Sequence, residues 1–185
     1  MQDFTAHQFD PMRDEAFKLY HVYDNLSQTP YIPGQGIQAG DKNIYLLRYW
    51  HRITVHSIAQ HLDWYQKTPT SFISLYGDPD SALRAVSQRM EKRNIKLDGR
   101  WQNRGPVFIA VISARKLADA GVFVFSTEDL KSEKMLDLQG MSINHPLAGK
   151  LNEREWFAMD RIPEAAVEYV LEEDALTWGG MGNLM

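Results

Sequence analysis

Two glutamates near the C-terminal end of this sequence are the residues best suited to chemistry. Glu153 and Glu155 are two positions apart and lead into the apolar run 156–159, W-F-A-M. In a β-strand, residues i and i+2 project from the same face, so both carboxylates are predicted to point the same way at the mouth of a buried strand. Such a pair suits a reaction in which one carboxylate stabilises positive charge and the other handles a proton. The alternative is a solvated strand end without a chemical role.

Residues 17–23, F-K-L-Y-H-V-Y, predict the first strand of the chain, ended by Asp24 and Asn25. His21 falls on the same face as its apolar and aromatic neighbours at alternate positions. A histidine in such a setting is either a hydrogen-bonded core residue or a functional one, and the sequence leaves both open.

Residues 68–77, T-P-T-S-F-I-S-L-Y-G, predict a second strand with Ser74 and Tyr76 on one face. Asp78 is a suitable N-cap for the helix that follows, with Pro79 at its first position. This helix is predicted to end near residue 94, and the residues expected to face the interior are Ala82, Leu83, Val86 and Met90. A strand that carries hydroxyl groups and is followed by an N-capped helix can bind a polar ligand.

The later part of the chain supplies the other predicted strands. The continuous apolar run 107–112, V-F-I-A-V-I, predicts a central strand buried on both faces. Residues 122–125 predict a strand or an apolar patch, and further strands are predicted at the E-x-E segment and at 166–171. A helical turn is predicted at 114–120 and a helix start at 126–130.

Three segments are predicted to be loops. The Pro- and Gly-rich residues 27–41 are expected to lack regular structure and to form a binding segment or a passive connector, and residues 100–106 are expected to form a loop. Residues 131–150 are expected to form a loop over the site. The elements together predict one α+β domain over residues 1–171, with a mobile tail at 172–185.

Residues 43–66 predict a helix, because their apolar residues recur near a 3.6-residue period. His51, His56 and His61 follow one another in it at five-residue intervals. Five residues advance a helix by about 500°, so neighbouring imidazoles diverge by roughly 140°. Metal pairs on a helix prefer a spacing such as i and i+4, so we predict no metal site here.

The composition limits the class of protein. A chain of 185 residues suits one domain with a real core, and the lack of cysteine excludes disulfides, thiolate chemistry and Cys-ligated zinc. The net charge of -4 gives no reason to expect a nucleic-acid partner. We expect no secretory signal in the first residues, because they lack a basic start and an apolar h-region, and no apolar run approaches about 20 residues. We therefore expect no membrane partner and a soluble chain, either cytoplasmic or secreted with its signal removed.

Four motifs, taken in order, resemble the ADP-ribosyltransferase fold: L-Y-H-V-Y-D, F-I-S-L-Y-G-D-P-D-S-A, V-F-I-A-V-I and H-P-L-A-G-K-L-N-E-R-E-W-F-A-M-D-R-I-P. The likeness is to the catalytic chain of the heat-labile enterotoxin and cholera toxin group and to enterotoxin-like domains of fungi. It covers residues 17–171 and implies an α+β fold, a split β-sandwich with flanking helices. Its most specific part is the E-x-E followed by Ile-Pro and a closing strand.

The resemblance implies roles for the residues singled out above. The family's catalytic glutamate matches Glu155, which would stabilise an oxocarbenium-like ribosyl species, and the other glutamate of the E-x-E matches Glu153, which would deprotonate the acceptor. The serine that opens the family's second block falls on Ser74, although a register at Ser71 is possible. It would orient Glu155 or the ribose.

At two places the sequence departs from the pattern of the family. His21 stands where the family has an arginine on the first strand, and Leu75 and Tyr76 stand where it has Thr-Ser. A histidine on this strand with a tyrosine in the second block resembles the His-Tyr-Glu variant of diphtheria-type and poly-ADP-ribose enzymes, which places both in cofactor binding.

The resemblance thus implies NAD as a substrate and a mono-ADP-ribosyltransferase that modifies an arginine side chain of a protein, or an NAD glycohydrolase that uses water. The alternative is a catalytically inactive domain of the same fold that binds or regulates a protein partner.

Overall fold

The apolar run V-F-I-A-V-I forms an interior strand of the largest sheet. The structure is a computed structural model that describes residues 16–41, 55–62, 68–97, 99–127 and 154–172. The strands are β1 Lys18–Asp24, β2 Tyr31–Ile32, β3 Gly36–Gln38, β4 Phe72–Tyr76, β5 Asn94–Leu97, β6 Arg100–Asn103, β7 Val107–Ser113, β8 Val124–Ser126, β9 Glu155–Met159, β10 Arg161–Ile162 and β11 Val167–Glu172. The helices are α1 Val55–Leu62, α2 Pro79–Glu91 and α3 Ala114–Asp119, with a 3-10 turn at Glu164–Ala166.

The described strands form three sheets, and each ladder with a registered pairing is antiparallel. The order in the six-stranded sheet is β11-β7-β1-β4-β9-β8, a three-stranded sheet has the order β10-β3-β2, and β5 pairs with β6. The prediction of an α+β fold is confirmed. None of the helices in the described ranges has both the length and the apolar character needed to cross a membrane.

Alternate residues of β7 belong to two different parts of the core. Ile109 and Val111 pack in one cluster with residues of α2, and Ala110 and Ile112 pack in a second cluster with Ile37 of the three-stranded sheet. The prediction that this strand is buried on both faces is therefore confirmed. A helix covers one face of the large sheet and the small sheet covers the other, as expected for a sandwich with flanking helices.

The register between β4 and β9 places the polar side chains of the two strands on one face. Tyr76 lies directly opposite Glu155, and Ser74 lies opposite Phe157. Residues directly opposite each other share a face, and the diagonal neighbour is still within reach of a long side chain. Ser74 is therefore the diagonal neighbour of Glu155, which the glutamate side chain can reach.

The start of β9 is fixed to the turn between β4 and α2. Gly77 N–H donates to the carbonyl of Arg154 at 3.1 Å, and the guanidinium of Arg154 lies 3.4 Å from the Asp78 carboxylate. A Cβ at Gly77 would lie 2.5 Å from Trp156 Nε1, so a side chain there would clash with the residue after Glu155.

The capping of α2 follows the prediction. Asp78 Oδ1 accepts from Ser81 N–H at 2.9 Å, and Pro79 is the first helical residue. Ala82 and Val86 are buried against the large sheet, and Leu83 is partly buried there. Met90 is 40% exposed, so its predicted inward position was wrong. The helix ends at Glu91 rather than near residue 94, which leaves Met90 in the last turn, outside the apolar cluster.

Two predicted loops contain hairpins. Residues 27–41 include β2 and β3, and Gly36 (φ 79°) lies so close to the backbone of β10 that a Cβ would overlap the Ile162 carbonyl. Residues 100–106 include β6, which pairs with β5 around Gly99 (φ 76°). The prediction of loops was wrong at both places, because positive-φ glycines allow the tight turns that join paired strands.

Several predictions concern residues outside the described ranges. Of the helix predicted at 43–66, the structure describes α1, and the sequence on either side of it is not described. The predicted helix start at 126–130 is described only to residue 127, and the loop over the site at 131–150 and most of the tail lie outside.

Candidate functional site

Ser74 and Glu155 are joined by a hydrogen bond. Ser74 Oγ donates to Glu155 Oε1 at 3.1 Å, and Glu155 is only 8% exposed. The bond follows from the β4–β9 register, which makes the two residues diagonal neighbours on one face. The structure thus brings together the residues that the resemblance matches to the serine and the catalytic glutamate of the family. Ser71, the other register considered, is buried and does not line the cavity described below.

His61 of α1 extends this contact into a chain of hydrogen bonds. Its Nε2 lies 2.9 Å from Ser74 Oγ, and its Nδ1 lies 2.6 Å from Thr70 Oγ1. Burial lowers the pKa of His61 to about 4, with a smaller contribution from His21, so the ring is neutral at pH 7. A neutral ring has one N–H.

The direction of the bonds follows from the carboxylate at the end of the chain. Glu155 accepts the Ser74 proton, so Ser74 Oγ must in turn accept a proton from His61 Nε2–H. The unprotonated Nδ1 then accepts from the Thr70 hydroxyl. We assign the Nε2–H tautomer from this network. Every donor in the chain therefore points towards Glu155.

His21 connects β4 with the loop that follows β1. Its Nδ1 lies 2.8 Å from the carbonyl of Ser74, and its Nε2 lies 2.7 Å from the carbonyl of Thr29. Burial lowers the pKa of His21 and outweighs the two carbonyls, which favour the protonated ring. The ring is 3% exposed and stacks on Tyr23, with 5.7 Å between the ring centroids. Both nitrogens therefore contact the backbone, although the residue also lines the cavity.

Tyr76 stands beside Glu155 on the neighbouring strand. Burial raises the pKa of Tyr76 to about 12, and the negative charge of Glu155 adds to the effect while Arg89 opposes it. The phenol therefore keeps its proton at physiological pH and is available as a hydrogen-bond donor. Tyr76 and Ser74 both line the cavity together with Glu155.

These side chains line a cavity of about 430 Å³. A volume of this size is typical of small-molecule sites. The walls come from β1 and the loop after it, from α1, from β4 and β9, and from the end of α2 with the β5–β6 hairpin. The lining residues are His21, Val22, Leu26, Ser27, Gln28, Thr29, Gln60, His61, Leu62, Thr68, Thr70, Ser74, Tyr76, Arg89, Ile95, Gln102, Arg104 and Glu155.

Two arginines of the wall share one buried aspartate. Arg89 Nη1 and Arg104 Nη1 donate to Asp24 Oδ2 at 2.8 and 2.7 Å, and the Asp24 side chain is fully buried. Burial alone would raise the pKa of Asp24, but the arginines and the Leu26 N–H outweigh it and lower the pKa. The aspartate is thus ionised at neutral pH, and the three side chains carry one net positive charge.

The cavity contains predicted and unpredicted residues. His21, Ser74, Tyr76 and Glu155 converge on it, whereas Glu153 lies outside the described residues. His61, Arg89 and Arg104 were not predicted as site residues. His61 was considered only as a metal ligand. In the part of the chain that the structure describes, no group of three or more His, Cys, Asp or Glu residues could hold a metal ion.

A family model described as "Domain of unknown function (DUF7587)" matches residues 17–176. The chain belongs to this family. None of the curated proteins matches the DUF7587 chain.

Two solved structures of DarT from Thermus sp. 2.9 are similar to the DUF7587 chain. The complex of DarT with ADP-ribosylated ssDNA has 16% sequence identity and a TM-score of 0.41, and the likeness covers 85% of this chain and 81% of that chain. The complex of DarT with NAD+ has 17% identity and a TM-score of 0.40, with coverages of 85% and 82%.

Proposed function

We propose that this chain is an NAD-dependent mono-ADP-ribosyltransferase or an NAD glycohydrolase with Glu155 as the catalytic residue. The observation that carries the proposal is the Ser74–Glu155 hydrogen bond on the wall of the cavity, at the two positions that match the family's motifs. The finer resemblance to enterotoxin-like domains belongs to the same proposal.

The charges on the cavity wall support this substrate. NAD carries a positive nicotinamide ring and a negative diphosphate. Glu155 supplies a carboxylate, and Arg89 and Arg104 supply cationic groups in the same cavity. A site with both signs of charge suits a ligand that has both, because each ionic group of the ligand then meets an opposite charge.

In the proposed reaction, the bond between the nicotinamide nitrogen and ribose C1′ breaks. The electron pair leaves with nicotinamide, which becomes neutral, and the ribose develops oxocarbenium character as in glycoside hydrolysis. Glu155 stabilises this positive charge, and one such preorganised group supplies about 3 to 4 kcal/mol. Ser74 keeps the carboxylate oriented, and His61 in turn orients the Ser74 hydroxyl. His61 is thus a positioning residue.

The acceptor attacks C1′ and loses a proton. With water as acceptor the product is ADP-ribose, and with an arginine side chain it is an ADP-ribosylated protein. We assign removal of the acceptor proton to Glu153, which lies two residues before Glu155 in the E-x-E motif. His21 and Tyr76 remain our candidates for contacts with NAD.

Nicotinamide release from NAD labelled on the adenine side tests the proposal. We expect release by the wild-type protein and a loss of at least about a hundredfold in Glu155→Gln, since the substitution removes the charge that acts in the transition state. Glu172→Gln is the matched control, because Glu172 is an exposed glutamate of β11 and does not line the cavity. Release that is equal in wild type and Glu155→Gln would contradict the proposal.

The fate of the label identifies the acceptor. Label in free ADP-ribose alone indicates a glycohydrolase, and label on an arginine-containing peptide indicates a transferase. A single-stranded DNA oligonucleotide is included as a third acceptor. Label on it would overturn the expectation that no nucleic acid takes part.

A second candidate function is a catalytically inactive domain that binds a partner. The environment of His21 favours it, because the residue at the arginine position uses both ring nitrogens on backbone carbonyls. Histidine is also not the permanently charged, bidentate group that arginine is. Calorimetry with NAD separates the two functions: no heat of binding, together with no nicotinamide release from the wild type, supports the inactive domain.

A further inference from the structure

We infer that Arg89 and Arg104 form a subsite for the diphosphate group of a nucleotide. The two guanidiniums come from α2 and from the residue after β6, and both line the cavity that contains Glu155. This inference rests on the proposed function, since it assigns the part of NAD that the subsite holds.

The charges around Asp24 suit an anionic ligand. The positively charged side chains of Arg89 and Arg104 are each 12% exposed, and Asp24 between them carries one negative charge. The cluster has one net positive charge beside a cavity, where field lines are concentrated by the low-dielectric walls. Such a site favours an anion over a neutral ligand.

The two guanidiniums are preorganised by their hydrogen bonds. Asp24 accepts both arginines on Oδ2, and its Oδ1 accepts from Leu26 N–H at 2.8 Å and from Ser27 Oγ at 3.3 Å. The aspartate is thus a fixed point that holds both guanidiniums in place before a ligand arrives. Arg104 is fixed further because its Nε donates to the Lys92 carbonyl at 3.1 Å. Rigid groups lose little entropy on binding.

The arginine side chain itself suits a diphosphate. Arginine presents its donors as a planar fork that matches the oxygens of phosphate groups in a bidentate manner. The family pattern places an arginine at the position of His21 on β1, and both ring nitrogens of this histidine contact backbone carbonyls. Two arginines from other elements line the same cavity and present guanidinium groups to it.

Calorimetry with ADP, inorganic pyrophosphate and adenosine tests the subsite. We expect ADP and pyrophosphate to bind the wild-type protein and adenosine to bind at least about tenfold more weakly than ADP. Arg89→Gln and Arg104→Gln should each weaken ADP binding by at least about tenfold, and Arg89→Lys should have a smaller effect. Arg84→Gln is the matched control, since Arg84 lies on the same helix, donates to Ser81 and does not line the cavity.

Equal affinity for ADP and adenosine would overturn the inference, as would wild-type affinity for ADP in both glutamine variants. Circular dichroism and thermal melting establish that each variant is folded, and Arg89→Lys still offers Asp24 a cation if Arg89→Gln does not fold. Nicotinamide release by the wild type and by the arginine variants separates this inference from the proposed function. If the wild type binds ADP but releases no nicotinamide, the proposed function is wrong and the subsite is retained. If neither arginine variant changes nicotinamide release, the subsite alone is wrong.

Discussion

His61 Nε2 lies 2.9 Å from Ser74 Oγ, although the two residues belong to different elements and are 13 positions apart in the sequence. The ring donates to the serine hydroxyl, which leaves the serine proton for Glu155. Thr70 completes the chain at Nδ1. The orientation of the proposed catalytic carboxylate therefore depends on an imidazole that acts through the Ser74 hydroxyl.

We predict that His61→Phe lowers nicotinamide release about tenfold while the KM for NAD stays nearly unchanged. Phenylalanine keeps the edge contacts of the ring with Phe72 and Phe157 but removes both nitrogens, which costs about one hydrogen bond in the transition state. Steady-state kinetics measure the effect. His61→Gln keeps one donor and one acceptor and should recover part of the rate. Equal rates in wild type and His61→Phe would show that the chain does not position Glu155.

The buried histidine should make the protein less stable in mild acid. The pKa of His61 is about 4 in the folded chain against an ordinary value of 6.5, so the unfolded state binds more protons between these values. Stability is complete above pH 6.5 and falls as the pH falls towards 4. His61 accounts for a loss of about 1.5 kcal/mol between pH 6.5 and 5.

Urea denaturation at several pH values between 6.5 and 5 measures this loss. His61→Phe should reduce the slope of unfolding free energy against pH, while His21 contributes in the same direction in both proteins. Asp24 and Asp78 have lowered pKa values and stay ionised throughout this window, so they do not contribute to the slope. An unchanged slope in His61→Phe would contradict the prediction.

Tyr76→Phe should weaken NAD binding without unfolding the protein. The ring stays packed against the cluster under α2, so the free energy of unfolding should change by less than about 1 kcal/mol, while loss of the hydroxyl donor should raise the KM for NAD about tenfold. Because the pKa of Tyr76 is about 12, wild-type activity should not titrate near pH 10 through this group. A fall in activity near pH 10 that disappears in Tyr76→Phe would show that the phenol ionises there.

Gly77→Ala should destabilise the protein by about 1 to 3 kcal/mol, because the new Cβ would lie 2.5 Å from Trp156 Nε1 and the indole must move. Trp156 also packs on Phe17 and follows Glu155, so nicotinamide release should fall as well. A double-mutant cycle with Trp156→Leu measures the coupling by urea denaturation. If Gly77→Ala lowers the free energy of unfolding by the same amount in the Trp156→Leu background, the clash with Trp156 is not the cause of the destabilisation.

The sequence predicts elements whose pattern is local. The apolar run of β7 and the Asp78–Pro79 cap of α2 each depend on neighbouring residues, and both were predicted correctly. The β5–β6 hairpin was missed, although Asp98-Gly99 is a dipeptide typical of tight hairpin turns. Prolines and glycines in 27–41 likewise obscured β2 and β3, which pair with each other, and β10, the second partner of β3, lies far along the chain.

The candidate site was only partly predictable for the same reason. Ser74 and Glu155 could be matched to motifs, and their contact follows from the register of two strands that are remote in sequence. His61 was judged against other histidines of its helix, whereas its partners are hydroxyls of the following segment. No local pattern marks Arg89 or Arg104, because their common partner Asp24 is 65 and 80 positions away.

The bond from Gly77 N–H to the Arg154 carbonyl has a consequence for mutagenesis. It anchors the polypeptide one residue before the catalytic candidate, and the Arg154–Asp78 contact anchors it a second time. The backbone next to Glu155 is thus held from the turn between β4 and α2. Substitutions of Gly77 or Asp78 can therefore displace the carboxylate, although neither residue lines the cavity.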